Sequence, residues 1–254
     1  MLSGFHPLRL TRKVLAKAQT RVRQPDATDL KAVNVAFVSA IKAQMPHKEA
    51  MESAIGGGFD HIGAVEVGVL KHYGLPVDGH LVDVGCGSGR LTKPLSAWLT
   101  GTYLGIDLVP DLIEHARKLA ARPDWRFEVI DHIGIPEVDG QADMVCFFSV
   151  LTHLLHEQSY WYLEEARRVL KPGGRIVFSF LEFHEPAHLQ IFRDTVINHK
   201  RKHLQPLNTF IERGAIEVWA RELGLEVVDI RDGGDAVASE GALGQSICVL
   251  RKPG

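Results

Sequence analysis

From residue 80 onward, short runs of β-branched and aromatic residues alternate with amphipathic stretches, and this alternation limits the chain to few folds. The β-rich runs are HLVDV, TYLGI, WRFEVI, ADMVCFF and GRIVFSF. Strands that alternate with helices pair in parallel and carry helices on both faces of the sheet. The run ADMVCFFSVL is almost continuously apolar, as expected for a covered central strand. We therefore predict an α/β protein with a doubly wound, mostly parallel sheet.

The C-terminal part departs from this alternation. A helix is predicted from about Asn208 to Leu223, followed by the strands LEVVDI and QSICVLRK. The glycine-rich stretch between these two strands, from Gly233 to Gly244, leaves no room for a helix, so they should pair antiparallel. We expect an antiparallel C-terminal strand in the sheet.

The N-terminal part shows apolar residues at helical spacing, which predict helices at 29–44 and 62–73, separated by three glycines. We divide the chain into an N-terminal helical extension or lid, residues 1–55, and a main domain, residues 56–254. Within the main domain, the long connection 183–207 follows the fifth strand and is predicted to be an insertion on the acceptor side.

Composition restricts the environment and the partners of the chain. A formal net charge of -2 and a pI near 6.7 provide no overall attraction to polyanions. The three cysteines lie far apart and form no C-x-x-C pair. No apolar run reaches the roughly 20 residues of a spanning helix, and the first residues lack the apolar core of a secretory signal. We predict a soluble cytoplasmic protein without a nucleic-acid partner, and leave its oligomeric state open.

The segment PLRLTRKVLAKAQTRVR, residues 7–23, carries six basic residues and no acid. Helical spacing places its apolar residues on one side. The pattern is typical of a helix that packs on the domain or lies in solvent. Weak contact with a membrane surface is the main alternative, and an organellar targeting peptide is a further one.

A glycine-rich turn follows the first predicted strand. In LVDVGCGSGR, Gly85, Gly87 and Gly89 stand at alternate positions, and the apolar pattern of residues 91–99 predicts a helix after them. Glycines allow the chain to bend sharply and a ligand to lie against the backbone, and the start of a helix offers free N–H groups to an anion. The spacing differs from the G-x-G-x-x-G of nicotinamide and flavin enzymes. The turn therefore predicts a ligand site of another kind.

With Asp83, the turn reads D-x-G-x-G-x-G and resembles the first motif of the class I S-adenosylmethionine-dependent methyltransferases. The resemblance covers about residues 81–250 and implies a Rossmann-like sheet with S-adenosylmethionine as the cofactor and S-adenosylhomocysteine as the product. By this resemblance, Asp107 at the end of YLGID binds both ribose hydroxyls and Leu108 lies against the adenine. Asp131 and the backbone of His132, at the end of the third strand, would meet the adenine amino group and ring.

The resemblance also covers ADMVCFFSVLTHL, where Phe148 or Ser149 would lie beside the methionine end of the cofactor, and LKPGGRIVFS, which matches the turn into the fifth strand. The complete set of predicted cofactor-binding residues is Asp83, Gly85, Cys86, Gly87, Gly89, Arg90, Asp107, Leu108, Asp131, His132, Phe148 and Ser149.

A hydroxyl acceptor must lose its proton during methyl transfer, which requires a base near neutral pH, whereas an amine or a thiolate can attack without one. His153 follows the fourth strand, at a position where the family often carries a polar residue, and is the first candidate for this base. Glu182 and His184 leave the fifth strand at the same edge of the sheet and are the second candidates. Asp60 and His61 belong either to a lid or to the start of a helix.

Two pairs of histidines stand four residues apart and are candidate metal ligands. Residues 184–188 spell H-E-x-x-H, the zinc-protease motif, which needs both histidines on one continuous helix. Pro186 fits only the first turn of a helix, so His184 would precede that helix. Three basic residues separate His199 from His203 and would repel a cation. We predict no metal.

The predicted function is methyl transfer from S-adenosylmethionine to a small molecule. We favour O-methylation of a hydroxyl, for example on a sugar or a glycan- or lipid-linked precursor. His188, Phe192 and the basic residues of 183–207 would then recognise a polar or anionic acceptor. N-methylation of a small molecule, and methylation of RNA or protein, remain alternatives. FFSV stands where enzymes that methylate base amino groups carry an N/D/S-P-P-Y-like motif, which disfavours nucleic-acid bases.

Overall fold

Three helices precede the first strand in the computed structural model, which describes residues 29–201, 203 and 206–254. They are α1 (Leu30–Lys42), α2 (His47–Ala54) and α3 (Phe59–His72). The sequence predicted α1 and α3 but missed α2, whose eight residues bury only Ala50 and Met51 and so show too short an apolar pattern. The basic segment 7–23, and with it the predicted membrane contact, lies outside the described residues.

Seven strands form one sheet in the order β3-β2-β1-β4-β5-β9-β6. They are β1 (His80–Val84), β2 (Thr102–Asp107), β3 (Arg126–Val129), β4 (Ala142–Phe147), β5 (Leu170–Phe180), β6 (Glu226–Arg231) and β9 (Ser246–Arg251). Strands β1 to β5 pair in parallel, and β9 runs antiparallel between β5 and β6. The predicted mostly parallel sheet with an antiparallel C-terminal strand is therefore confirmed.

The connections supply the remaining elements. The helices are α4 (Thr92–Leu95), α5 (Pro110–Ala120), α6 (His156–Val169), α7 (Pro186–Lys200) and α8 (Arg213–Glu222), and a small hairpin joins β7 (Ala236–Ala238) to β8 (Gly241–Ala242). In the described part of the chain, no helix combines the length and the apolar character needed to cross a membrane.

Two predicted helices are shorter than expected. The helix after the glycine turn, predicted over 91–99, is the single turn α4, which continues as hydrogen-bonded turns: the N–H groups of Trp98 and Leu99 donate to the Leu95 carbonyl at 2.9 and 2.8 Å. The C-terminal helix, predicted from residue 208, begins only at Arg213. The backbone N–H groups of Thr209 and Ile211 instead donate to the carbonyl groups of Thr152 and Leu181, at 2.7 and 2.8 Å, which holds the preceding chain extended.

The core lies on both faces of the sheet because successive strand residues point to opposite sides. Phe147 and Phe178 pack with α6 and α8, whereas their neighbours Cys146 and Val177 pack with α3 and α5. A third cluster joins α1 and α2 to the loop after β2 and to α5, through Phe37, Val38, Ile41, Met51, Val109 and Leu112. The N-terminal helices are thereby packed beside the carboxyl end of β2.

Candidate cofactor and acceptor site

A cavity of about 380 Å³ opens at the carboxyl ends of β1, β2 and β4. The strand order reverses between β1 and β4, and ligands of doubly wound sheets bind at such switch points. The volume is ordinary for a small-molecule site. Its wall contains the residues Asp83, Gly85, Cys86, Gly87, Arg90, Asp107, Leu108, Asp131, His132, Phe148 and Ser149. These are all of the predicted cofactor-binding residues except Gly89.

The three glycines of the turn adopt the left-handed conformation, with φ of 72° at Gly85, 55° at Gly87 and 94° at Gly89. A Cβ atom at Gly85 would lie 2.4 Å from a methyl carbon of Val150. At Gly89 it would lie 2.9 Å from the Cα atom of Ala116 on α5. Gly89 therefore permits close packing of the turn against α5. This packing explains why Gly89 lies outside the cavity wall, although the sequence predicted it to bind the cofactor.

Asp107 ties the glycine turn to the end of β2. Its Oδ2 atom accepts from the N–H of Gly87 at 3.0 Å, and its Oδ1 atom accepts from the N–H of Val109 at 2.9 Å. Burial raises the pKa of Asp107, and these backbone donors only partly oppose that rise. Each carboxylate oxygen has a further lone pair. The carboxylate can therefore accept hydrogen bonds from ribose hydroxyls while it holds the turn.

Asp83 is 2% exposed and belongs to a buried polar chain under the cavity. Its Oδ2 atom accepts from the Tyr103 hydroxyl at 2.7 Å, and that hydroxyl also lies 2.9 Å from Thr92 Oγ1. Burial raises the pKa of Asp83 to about 7; the Tyr103 hydrogen bond opposes the rise and the charge of Glu66 adds to it. Asp83 therefore holds a proton more readily than an ordinary aspartate.

Glu66 on α3 is a wall residue that the sequence reasoning missed. It is 1% exposed and forms an ion pair with Arg90, whose Nη1 atom also lies 3.4 Å from the carbonyl oxygens of Ile55 and Gly56. This arrangement joins α3 and the end of α2 to the glycine turn. The signal in the sequence is the acid within the apolar run AVEVGVL, because a buried acid needs a partner.

The end of the cavity that contains Asp131 and His132 is bordered by the described part of the N-terminal extension. Leu30, Lys31 and Asn34 of α1 line the cavity together with Asp131 and His132. Lys31 Nζ lies 3.4 Å from Asp131 Oδ2, and the pKa of Asp131 is lowered by hydrogen bonds from His132 and then Lys31. The division of the chain at residue 55 itself remains a prediction.

His153 lines the same cavity from the single helical turn of residues 151–153 that follows β4. Its Nδ1 atom lies 2.5 Å from the carbonyl oxygen of Leu207. A carbonyl can only accept, so Nδ1 carries the proton of the neutral ring and Nε2 carries the lone pair. Burial lowers the pKa of His153, and the Leu207 hydrogen bond opposes this only in part. The ring is therefore a neutral base near pH 7.

Glu182 and His184 lie outside the cavity wall, contrary to their prediction as catalytic candidates. Glu182 is fully buried and accepts from Arg213 Nε and Nη2 at 2.8 and 2.7 Å and from the Ser246 hydroxyl. Burial favours a raised pKa for Glu182, but the hydrogen bonds from Arg213 and Ser246 outweigh it and leave the pKa lowered. The physical reason for the error is that β5 ends in a packed interior, which makes Glu182 part of a structural ion pair.

The segment 183–207 was predicted to form the acceptor pocket, but among its described residues only Pro206 lines the cavity. Most of the segment is helix α7, which begins at Pro186 as predicted. His188 is buried: its Nδ1 atom accepts from the N–H of Glu182 at 3.1 Å, and its Nε2 atom lies 3.2 Å from the Gly244 carbonyl. Phe192 is exposed on the outside of α7.

Two other predictions concerned a lid and a metal. Asp60 and His61 lie in the first turn of α3 and not in the cavity wall, and Asp60 pairs with Lys93 at 2.6 Å. Within residues 29–201, 203 and 206–254, no group of three or more His, Cys, Asp or Glu side chains is arranged to hold a metal ion. The use of no metal stays a prediction.

Ser149 has a left-handed backbone, with φ of 60°, which is strained for a residue with a Cβ atom. Its N–H donates to Ser179 Oγ at 2.7 Å, and Gln245 Oε1 accepts from the hydroxyls of Ser179 and Ser149 at 2.7 and 3.3 Å. Side chains from β5 and from just before β9 therefore hold the strained end of β4. The sequence contained no local signal for this contact.

The strands that border the cavity lie in a part of the sequence that is similar to known proteins. A family model described as a methyltransferase domain matches residues 81–174. Residues 81–174 form a methyltransferase domain. The D-x-G-x-G-x-G turn and the seven-stranded sheet assign it to the class I, S-adenosylmethionine-dependent type, so the predicted family and fold are confirmed. S-adenosylmethionine is the cofactor of this class of domain.

The methyltransferase domain has relatives of several kinds. A malonyl-[acyl-carrier protein] O-methyltransferase of Hahella chejuensis is 34% identical over 113 residues, 44% of this chain and 39% of the relative. A ubiquinone biosynthesis O-methyltransferase of Pseudomonas entomophila is 28% identical over 155 residues, 59% of this chain and 66% of the relative. The match thus spans only part of the length of these curated relatives.

Among solved structures, the magnesium protoporphyrin IX methyltransferase of Synechocystis, crystallised with S-adenosylhomocysteine, superposes with a TM-score of 0.55 at 13% identity. The superposition covers 96% of this chain and 94% of that protein. At this identity the likeness concerns the fold. The similarity of fold covers the helices around residues 81–174 as well as the methyltransferase domain itself.

Proposed function

We propose that this chain transfers a methyl group from S-adenosylmethionine to a hydroxyl of an uncharged small molecule, with His153 as the base. The observation that carries the proposal is the hydrogen bond between His153 Nδ1 and the Leu207 carbonyl, made by a ring that lines the cavity. This bond leaves Nε2 free to take a proton from the acceptor hydroxyl. The lowered pKa of His153 keeps that nitrogen available at neutral pH.

The wall of the cavity suits the proposed cofactor. Gly85 and Gly87 of the glycine turn line the cavity, and Asp107 has lone pairs for two ribose hydroxyls. The described cavity wall contains two cations, Lys31 and Arg90, and five carboxyl groups, those of Asp29, Glu66, Asp83, Asp107 and Asp131. This excess of acid favours a ligand with a positive charge. The sulfonium of S-adenosylmethionine, when bound, supplies the methyl group.

The same charges argue against an anionic acceptor. The two cations in the described cavity wall, Lys31 and Arg90, are already paired with Asp131 and Glu66. A carboxylate acceptor would be desolvated there without a counter-charge, which is costly. An uncharged hydroxyl avoids this cost. Both curated relatives are named O-methyltransferases, which supports oxygen as the methylated atom for a hydroxyl and a carboxylate alike.

The test is methyl transfer by the full chain from labelled S-adenosylmethionine to four acceptor classes: phenols, saccharides, primary amines and carboxylic acids. We expect methyl ethers as the products, identified by mass spectrometry. Phenols and saccharides together test whether a hydroxyl is the methylated group. Saccharides alone test the preference for a sugar that was predicted from the sequence. Formation of methylamines or methyl esters alone would contradict the proposal.

The pH dependence gives a second readout. Protonated His153 cannot accept a proton, so kcat/KM should rise with pH and reach a plateau once the ring is neutral. Because burial lowers the pKa of His153, the midpoint should lie below the usual histidine value of about 6.5. A rate without a step in this range, for a hydroxyl acceptor, would exclude His153 as the base.

A further inference from the structure

Helix α7 directs apolar and basic side chains away from the domain. At about 3.6 residues per turn, Phe192, Arg193, Val196 and Lys200 fall on one side of the helix. Phe192 is 38% exposed, and Ile197 on the adjoining side is 42% exposed. The described structure places no other element over this side, which is unusual for a helix with four apolar residues in its middle turns.

An aromatic cluster extends the apolar surface beyond the helix. The rings of Phe183 and Phe210 are stacked at 4.7 Å, and the ring of Phe192 meets them edge-on at 5.2 and 5.6 Å. Phe183 is 45% exposed. The three rings therefore pack on one another at the surface instead of in the core. We refer to these rings, together with Arg193, Val196, Ile197 and Lys200, as the α7 face.

On helix α7 itself the charges of the α7 face are of one sign, while Glu212, which accepts from the Phe183 N–H at 3.2 Å, borders the aromatic cluster. The sole acid of helix α7 is Asp194, which is buried on the opposite side. Arg193, Lys200 and the adjoining Arg201 are exposed, and none of them forms an ion pair with a described residue. Exposed aromatic and aliphatic side chains beside unpaired cations are the composition of helices that lie at a membrane surface.

We propose that the α7 face docks on the surface of an anionic lipid bilayer. The apolar rings would enter the boundary between headgroups and acyl chains, and Arg193, Lys200 and Arg201 would lie among anionic headgroups, where each cation attracts the surface. The absence of an acid from the outward side of α7 removes the repulsion that would oppose this contact. A helix of 15 residues provides about four turns for it.

The strip 206–210 connects the α7 face to the cavity. Pro206 lines the cavity, and the Leu207 carbonyl accepts from His153. The Asn208 side-chain amide donates to Thr195 Oγ1 on α7 at 2.8 Å, and Phe210 belongs to the aromatic cluster. Docking would therefore bring this edge of the cavity close to lipid. The delivery of an acceptor from the membrane would rest on the proposed function, whereas docking itself does not.

The experiment is co-sedimentation of the full chain, without acceptor, with vesicles of phosphatidylcholine alone or of phosphatidylcholine and phosphatidylglycerol. We expect binding to the anionic vesicles that weakens with salt, and little binding to the neutral ones. The double variant Arg193→Glu/Lys200→Glu should weaken binding at least about tenfold, since each basic residue near the surface contributes roughly fivefold. Phe192→Ser should weaken it severalfold.

Matched controls make the same change of net charge, or remove another exposed apolar side chain, away from the α7 face. Lys118→Glu/Arg221→Glu makes the same charge change on other helices, and Val138→Ser removes an apolar side chain that is 66% exposed elsewhere. Both should bind like the wild type. Circular dichroism and thermal unfolding of all variants verify that they are folded.

Two results would overturn the proposal. The first is binding that the α7 variants leave unchanged, including binding lost only in Arg12→Glu/Lys13→Glu, which would assign the contact to the N-terminal basic segment. The second is no binding to anionic vesicles, with an oligomer in size-exclusion chromatography that Phe192→Ser dissociates. In that case a second copy of the chain covers the α7 face.

Discussion

The cavity has two sides, which we call the cofactor half, at the glycine turn and Asp107, and the acceptor half, at Ser149 and His153, where the methionine end of the cofactor and the acceptor are proposed to meet. The two halves are built in different ways. In the cofactor half, Asp107 binds the N–H groups of Gly87 and Val109, so strand ends and the turns beside them fix the geometry. In the acceptor half, His153 depends on a carbonyl 54 residues away, and Ser149 on a side chain 96 residues away. The cofactor half is therefore encoded by local motifs, and the acceptor half by contacts between distant segments.

The largest expected effect concerns His153. His153→Ala should lower kcat about 10²- to 10⁴-fold for a hydroxyl acceptor, because proton transfer by a positioned base contributes that much. Binding of S-adenosylhomocysteine should change little. His156→Ala is the matched control, since His156 Nε2 also meets a backbone carbonyl, that of Phe210 at 3.0 Å, but the ring does not line the cavity. Equal loss of activity in the two variants would show that His153 is not the base.

The second effect tests whether Glu182 stabilises the fold without taking part in catalysis. Glu182→Gln should lower the free energy of unfolding by about 2–3 kcal/mol, less than for a wholly buried pair because Arg213 is partly exposed. Urea unfolding measures this loss. The folded variant should keep its kcat, measured well below its melting temperature. A loss of kcat without a loss of stability would restore Glu182 as a catalytic residue.

The third effect tests the strained end of β4. Ser179→Ala removes the acceptor of the Ser149 N–H and should lower kcat/KM about tenfold, a loss in the range expected for one such hydrogen bond. Adding Ser149→Gly should recover much of that loss, because glycine adopts a positive φ without strain. A double variant as impaired as Ser179→Ala would show that Ser179 acts in another way.

The last effect is on the pH dependence of stability and belongs to Asp83 in the cofactor half. Its pKa is raised by burial from 3.8 to about 7, so the folded chain binds this proton more tightly than the unfolded chain. The resulting stability is fully present below the unfolded pKa and is lost as pH rises through about 7. Asp83→Asn should flatten this decline by at most about 1.4 kcal/mol per pH unit. Thermal unfolding between these pH values measures it, and an unchanged slope would contradict the raised pKa.

The cofactor half could be predicted from the sequence because its residues follow strand ends. Alternating β-rich runs predicted a doubly wound, mostly parallel sheet, and the D-x-G-x-G-x-G turn located the cavity beside Asp107. Gly89 was misplaced because a glycine that permits packing looks, in sequence, the same as one that contacts a ligand.

The acceptor half could not be predicted to the same depth. Proximity to the carboxyl end of β5 suggested Glu182 and His184, but burial and the pairing with Arg213 depend on a helix 31 residues further along the chain. Gln245 was missed for the same reason, because its partner Ser179 is remote in sequence. Glu66, which pairs with Arg90 beside the cofactor half, was missed in the same way. His153 was found only because it closely follows a strand that lines the cavity.

The most direct test of the account is calorimetric titration of the full chain with S-adenosylhomocysteine, beside Asp107→Ala. We predict dissociation in the micromolar range for the wild type and at least tenfold weaker binding for the variant, a loss of about 1.4 kcal/mol or more. A folded wild-type protein that does not bind the ligand, or a variant that binds as tightly as the wild type, would contradict the assignment of the cavity at the ends of β1, β2 and β4 to this cofactor.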